Sequence, residues 1–311
     1  MLAIVGASGK LGFATLTSLL NENLLPASQI VVTSSSDSGT QKLRSLNQPD
    51  LQIRSAHWDD PSSFESALAG CDKLFLISSS RIQKDFFDAP PGKGREADHF
   101  VALEAAKKVG VKHVYYTSLG FAKPSQSRVM KAHERTEDWL AQQSGLKWTV
   151  LREGLYNESW LLYFGHYGFP GDEREVVKVG GDSKISWTAI GDLGLASAMV
   201  IAAPGEEWEG KTFYLSQKKA HTLEEVAGMV SRARGKEVRL EVVERPEHER
   251  VYVEDRGMDE GFIKWWAKTY DALRDNECEI SDPTLEDLLA KKGLKPKAME
   301  DTVKDMLAAA K

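Results

Sequence analysis

Short apolar runs alternate with helix-period stretches through the first half of the chain. Leu2-Ala3-Ile4-Val5 reads as a buried strand, and residues 11–20 carry apolar positions at helical spacing. Ile30-Val31-Val32 is the next strand and Leu51-Gln52-Ile53 a weaker third. A helix is expected over 62–68. Leu74-Phe75-Leu76-Ile77 is a continuous apolar strand of the kind that a parallel sheet buries on both faces. Residues 97–109 are helical, with Gly110 as the stop signal. Val114-Tyr115-Tyr116 is the fifth strand, 131–143 a helix ended by Gly145, and Trp148-Thr149-Val150-Leu151 the sixth strand.

The second half has a different texture. Residues 168–182 are rich in glycine and charge and read as an excursion off the sheet. Residues 190–202 are helical, and Thr212-Phe213-Tyr214-Leu215 is a strand expected at the sheet edge. Thr222-Leu223-Glu224-Glu225 is a capping box that opens a helix ending before Gly235. Residues 238–243 alternate as a strand does, and the charged run 244–256 reads as a solvated loop. Phe262, Trp265, Trp266, Thr269 and Tyr270 form a helical stripe, Asp282-Pro283-Thr284 opens another helix, and 298–310 form the last.

Strand–helix alternation with short apolar strands predicts an α/β fold, a doubly wound parallel sheet of Rossmann type with a smaller C-terminal α/β substrate lobe. The expected nucleotide domain is 1–153 plus about 188–216. The expected lobe is about 154–187 plus 217–311. Ligands in such sheets sit beyond the carboxyl ends of the strands, at the switch point. The residues that follow each strand are therefore the informative ones.

Composition removes several function classes. The chain has 311 residues and a net charge of −6 with both signs interspersed, so it lacks the basic footprint of a nucleic-acid binder. Cys71 and Cys278 form no motif and read as reduced thiols of a cytoplasmic protein. The apolar start is too short for a secretory signal, and no run is long enough to span a membrane. No ligand cluster suggests a metal. A monomer or homodimer acting on a small-molecule substrate is the expectation.

The glycine turn Gly6-Ala7-Ser8-Gly9-Lys10-Leu11-Gly12 is the strongest signal and points to a bound dinucleotide. It follows the first strand and opens a helix, with the spacing GxxGxxG. Glycines there permit a tight turn, close approach of a pyrophosphate, and close helix–strand packing. The second strand ends in Thr33-Ser34-Ser35-Ser36 with no acid before Asp37, and Lys42 and Arg44 follow. Hydroxyls and cations suit a 2′-phosphate better than an acid would, which tilts the cofactor to NADP and leaves NAD possible. Ser78-Ser79-Ser80 and Thr117-Ser118 end the fourth and fifth strands, where ribose and nicotinamide would lie, although such hydroxyls also serve as strand-end caps.

The Tyr-x-x-x-Lys pair of many short-chain reductases has one literal match, Tyr214 with Lys218, and the strand position of Tyr214 marks it as accidental. His133 is either a ribose donor or proton shuttle with a pKa near neutral, or a solvated surface histidine beside Glu134 and Glu137. Among eight tryptophans, Trp148 reads as core. Phe121, Trp160, Trp187 and Trp265 are the candidate substrate-side aromatics, Trp266 stands with these tryptophans, and a pocket using at least one of them is expected, with plain packing of the lobe as the alternative for each.

Four blocks together resemble the NmrA-like proteins, atypical short-chain dehydrogenases/reductases that include NADPH-dependent quinone reductases and triphenylmethane reductase. They are residues 6–12, 72–80, 110–118 and Thr149-Val150-Leu151-Arg152-Glu153-Gly154-Leu155-Tyr156-Asn157. The resemblance runs to about Leu215, with weaker echoes at 223–235 and 283–289. It implies NADP in the cleft between sheet and lobe, with Gly154, Leu155, Tyr156 and Asn157 as a loop closing over the nicotinamide. It places His133 where relatives carry lysine or histidine, and makes His133 and Tyr156 the candidate proton donors. The chain departs from the family at Ser34, where many relatives have arginine, and at His57, where many have aspartate.

The expected activity is NADPH-dependent hydride transfer to a conjugated or aromatic acceptor such as a quinone, enone or imine. Two alternatives stand beside it. One is a redox-sensing regulator that binds the nucleotide without turnover. The other is a secondary-metabolite enzyme acting on an imine or iminium, with reduction coupled to ring formation.

Overall fold

The computed structural model describes residues 1–309. Its centre is a seven-stranded, fully parallel sheet. In chain order the strands are β1 Leu2–Val5, β2 Ile30–Ser34, β3 Gln52–Ser55, β4 Lys73–Leu76, β5 His113–Leu119 and β6 Lys147–Glu153. After them come the two-residue strand β7 Leu155–Tyr156, then β8 Val176–Val179, β9 Trp187–Thr188, β10 Thr212–Leu215 and β11 Arg239–Val242. The sheet order is β10-β6-β5-β4-β1-β2-β3. It reverses direction between β1 and β4, so the crevice lies beyond their carboxyl ends.

Period-2 alternation decides which face each residue serves. Ile4 and Phe75 point into a core shared with Leu11, Leu16 and Leu19 of helix α1 (Lys10–Asn21) and with Leu193 and Val200 of the helix Ile190–Ala202. Ala3, Val5 and Leu74 point to the opposite core. There they meet helices α3 (Pro61–Leu68), α4 (Glu96–Lys108) and α5 (Lys131–Ala141), which follow α2 (Asp37–Arg44). The edge strand β10 pairs with β6 as its apolar pattern predicts.

A third core builds the lobe from Trp160, Tyr163, Trp187, Trp265, Trp266 and Tyr270, and from Phe121 and Met130 of the segment after β5. Thr222 and Glu225 form both halves of the capping box, and Gly235 ends that helix at φ 68°. The glycine-rich excursion contains β8, which pairs in parallel with β11. Leu285, Leu288 and Leu289, late in the chain, pack in the sheet-side core with Leu193 rather than in the lobe.

One expectation is corrected. The run 244–256 is the helix Arg245–Arg250 continued by a wide turn over Val251–Asp255, not a solvated loop. Its charges pair along the outer side, Arg245 with Glu249 and Arg250 with Glu247. His248 and Tyr252, one turn apart, face inward and are fully buried. Both cysteines are free and buried. Among the described residues no helix is long and apolar enough to cross a membrane.

Candidate functional site

The glycine turn forms an open cradle. Gly6 takes φ 86°, a left-handed conformation, and the Gly9 amide donates to the Gly6 carbonyl at 3.0 Å. A Cβ at Gly12 would run into the Gly6 carbonyl oxygen and the Ala7 backbone. Ala7, Leu11 and Gly12 are buried and hold the helix on the sheet, whereas Gly9 and Lys10 are exposed. The N-cap of α1 is Gly9, with no side-chain acceptor and no acid in the first turn. Free amides at that helix start suit an anion, and a dinucleotide pyrophosphate fits the cradle.

Beside the end of β2 a cavity of about 260 Å³ is lined by Ser34, Ser35, Ser36, Arg44, Arg54 and His57, among others. The Ser34 hydroxyl turns into its own loop and donates to the Ser36 carbonyl at 3.0 Å. Arg54 is committed to the carbonyls of Ala67 and Ala69 at 2.8 Å. Lys42 leans over Phe13 and donates to the Ser8 carbonyl at 3.0 Å. Arg44 has no ion-pair partner among the described residues, which leaves a cation beside the exposed hydroxyls of Ser35 and Ser36.

A second cavity, also about 260 Å³, opens past the ends of β4 and β5. Ser78, Ser79, Ser80, Thr117 and Ser118 form its floor. Thr117 Oγ1 accepts from the Ser78 amide at 3.1 Å, which ties the two strand ends together. Three of the floor hydroxyls are already committed: Ser78 to His99 Nε2 at 3.2 Å, Ser79 to Asp98 at 2.7 Å and Ser118 to Glu137 at 2.6 Å. Leu155 and Tyr156 form the side wall. Their neighbours do not reach it. Gly154 packs against Thr188, and Asn157 is fully buried, donating to Thr302 Oγ1 at 3.0 Å. Asn157 therefore anchors the loop from behind.

His133 lines this cavity from the first turn of α5 and is buried, which removes the surface-histidine alternative. The expected pKa near neutral is corrected as well. Burial, with Arg95 and His99 nearby, holds His133 well below the usual imidazole range. At neutral pH the ring is uncharged, with one nitrogen able to donate and the other to accept. Burial likewise raises the Tyr156 phenol far above its ordinary range.

Of the candidate aromatics, Phe121, Trp160, Trp187 and Trp265 do not line the cavity, whereas Trp266 does. The first three are fully buried and Trp265 nearly so, all within the lobe core. The aromatic wall is built by Tyr163 and Trp266, with rings 4.9 Å apart and edge to face. Arg95 also reaches the cavity, its guanidinium paired with buried Asp85 at 2.6 Å, and no local pattern marks it in the sequence. Tyr214 is structural. Its hydroxyl accepts from Arg152 at 2.7 Å and donates to the Phe121 carbonyl at 3.0 Å.

A phosphate cradle at one end of the crevice and a hydroxyl-floored, aromatic-walled cavity at the other define a nicotinamide-dinucleotide-binding Rossmann protein. Residues 6–160 match the NAD(P)H-binding family. Quinone oxidoreductase 2 of Escherichia coli (strain K12) is 35% identical over 240 residues, 76% of each chain. The chain belongs to the NmrA-like family of NAD(P)H-binding short-chain dehydrogenases/reductases. The NADPH complex of the Escherichia coli NADPH-dependent quinone oxidoreductase superposes with a TM-score of 0.80 at 29% identity, covering 98% of this chain and 99% of that one. The NADP(H) complex of Citrobacter sp. triphenylmethane reductase gives 0.79 at 26% identity, covering 98% and 99%.

Proposed function

We propose that this protein is an NADPH-dependent reductase that passes a hydride to a conjugated, aromatic carbonyl acceptor, a quinone foremost. The observation that carries this reading is the second cavity. Uncharged hydroxyls from two strand ends face the apolar rings of Tyr163 and Trp266 across a space that suits a flat acceptor. A relative named a quinone oxidoreductase supports this acceptor class, and one named a triphenylmethane reductase supports conjugated aromatic acceptors more widely. Arg44 with Ser35 and Ser36 supports NADPH over NADH, because a cation and hydroxyls favour a phosphate.

When bound, the nicotinamide supplies the hydride. The protein's share is placement. The cradle and the α1 start hold the pyrophosphate, Thr117 and the Ser78 backbone shape the floor, and the aromatic wall keeps the acceptor flat and dry. A polarised acceptor needs little acid assistance, which agrees with Tyr214 being structural. His133 and Tyr156 are the groups placed to donate a hydrogen bond to the acceptor.

The test is NADPH and NADH oxidation against a panel of quinones, enones and imines. Turnover of quinones with NADPH preferred is expected. Tight NADPH binding with no turnover of any acceptor would overturn the proposal in favour of a redox sensor. A cyclised product from an imine would overturn it in favour of a biosynthetic enzyme.

A further inference from the structure

Behind the cavity wall, four polar side chains form a chain whose hydrogen positions can be deduced from one end. The Ser79 backbone amide can only donate, and it meets His99 Nε2 at 3.0 Å. That nitrogen is therefore bare. Burial and the nearby Arg95 keep His99 uncharged, with a pKa lowered to about 3, so its single proton sits on Nδ1. Nδ1–H donates to Thr136 Oγ1 at 2.8 Å, and Thr136 passes its own proton to the Ala132 carbonyl at 2.7 Å. The Tyr116 hydroxyl lies 3.4 Å from His99 Nδ1 and 2.9 Å from His133 Nδ1. The first of these is already a donor. His133 Nδ1, at 2.9 Å, is the nearest acceptor for the Tyr116 proton, and accepting it leaves the His133 proton on Nε2. That nitrogen has no partner among the described residues, and its ring lines the cavity.

We propose that Tyr116 and His99 are positioning residues that fix His133 as the Nε2–H tautomer, so that a neutral imidazole donates into the cavity to the acceptor's carbonyl oxygen. The acceptor role rests on the reductase reading above, whereas the tautomer does not. In the opposite tautomer the Tyr116 oxygen would accept from His133 Nδ1–H, and the phenol proton would lose its 2.9 Å acceptor and face the His99 donor. A preset neutral donor stabilises negative charge that develops on the acceptor oxygen, without waiting for a protonation event. The groups around His133 agree with a pH-insensitive donor. Arg95 from just before α4 and His99 from α4 face it, with Tyr116 on β5 and Tyr156 and Tyr163 in the cavity lining, while Glu134 and Glu137 of its own helix are held by Lys131 and Arg152.

The test begins with nitrogen NMR of the full chain labelled at histidine, with His133 assigned by its loss in His133→Gln. A protonated Nε2 and a bare Nδ1, unchanged from pH 8 to pH 5, is expected. A proton on Nδ1, or titration of the ring in that interval, overturns the proposal. Tyr116→Phe should give mixed tautomers and a kcat lower by about tenfold, with NADPH affinity unchanged. His133→Gln, whose amide nitrogen can donate from near the Nε2 position and has no tautomer to set, should keep more turnover than His133→Leu. In the Gln background Tyr116→Phe should have no further effect. A wild-type tautomer ratio and kcat in Tyr116→Phe would overturn the positioning role. If the wild type reduces no acceptor, the functional reading and the acceptor contact both fall, and the NMR result still decides the hydrogen-bond chain by itself.

Discussion

His248 allows a stability prediction whose sign and size follow from the structure. The imidazole is fully buried between Tyr252 at 4.5 Å and Tyr270 at 4.8 Å, with neither nitrogen hydrogen-bonded among the described residues. Burial lowers its pKa from 6.5 to about 4. The folded state therefore holds the ring neutral, while the unfolded chain takes up a proton once the pH falls below 6.5. Wild-type stability is fully present above that point and is lost progressively as pH drops toward 4. At about 1.4 kcal/mol per pKa unit the loss reaches roughly 3 kcal/mol by pH 4 and about 2 kcal/mol by pH 5. His248→Leu removes this loss. It also removes an unsatisfied buried polar group, for a gain of about 1 kcal/mol at neutral pH. Urea unfolding followed by tryptophan fluorescence at pH 8, 6.5 and 5 measures both effects. The variant should be more stable at pH 8, and its lead should widen by about 2 kcal/mol at pH 5. A gap that does not change with pH would refute the reasoning. So would a variant less stable than wild type at pH 5.

Three further outcomes are expected. Gly12→Ala forces α1 off the glycine turn, and NADPH affinity measured by fluorescence titration should fall at least about tenfold, or ~1.4 kcal/mol. Trp266→Ala removes the aromatic wall, so KM for a quinone should rise by about tenfold while NADPH affinity stays within about twofold; equal losses in both would place Trp266 on the cofactor instead. Tyr214→Phe should leave kcat within about twofold and cost about 1 kcal/mol of stability through the lost Arg152 bond, as read by urea midpoints; a collapse in kcat would restore Tyr214 as a reactive group.

The parts of the molecule set by local repetition are readable from the chain. Short apolar strands alternating with helices give the sheet, and the rule that ligands sit at strand ends selects Gly6, Ser78 and Thr117 before any coordinates. What escapes is orientation. Trp265 and Trp266 share one stripe, yet neighbouring helix positions point about 100° apart, and only tertiary docking decides which ring meets the cavity. Asn157 stands in the expected loop but turns toward Thr302, far along the chain. The depressed pKa of His133 comes from burial and from Arg95, neither visible in its own neighbourhood. The run 244–256 was legible in part, since His248 and Tyr252 carry helical spacing beneath the charges that conceal it.

The bond between Asn157 and Thr302 gives the site a sequence in time. As the chain leaves the ribosome, the glycine cradle and the paired strand ends can form once β1 to β6 and the helix Ile190–Ala202 that packs on α1 have emerged. The loop that begins at Gly154 waits for its backing. Thr302 belongs to the last described helix, Met299–Ala309, whose Met299, Val303 and Leu307 seal the lobe core. A nascent chain can therefore reach a nucleotide-binding state well before the acceptor side of the crevice has taken its final shape.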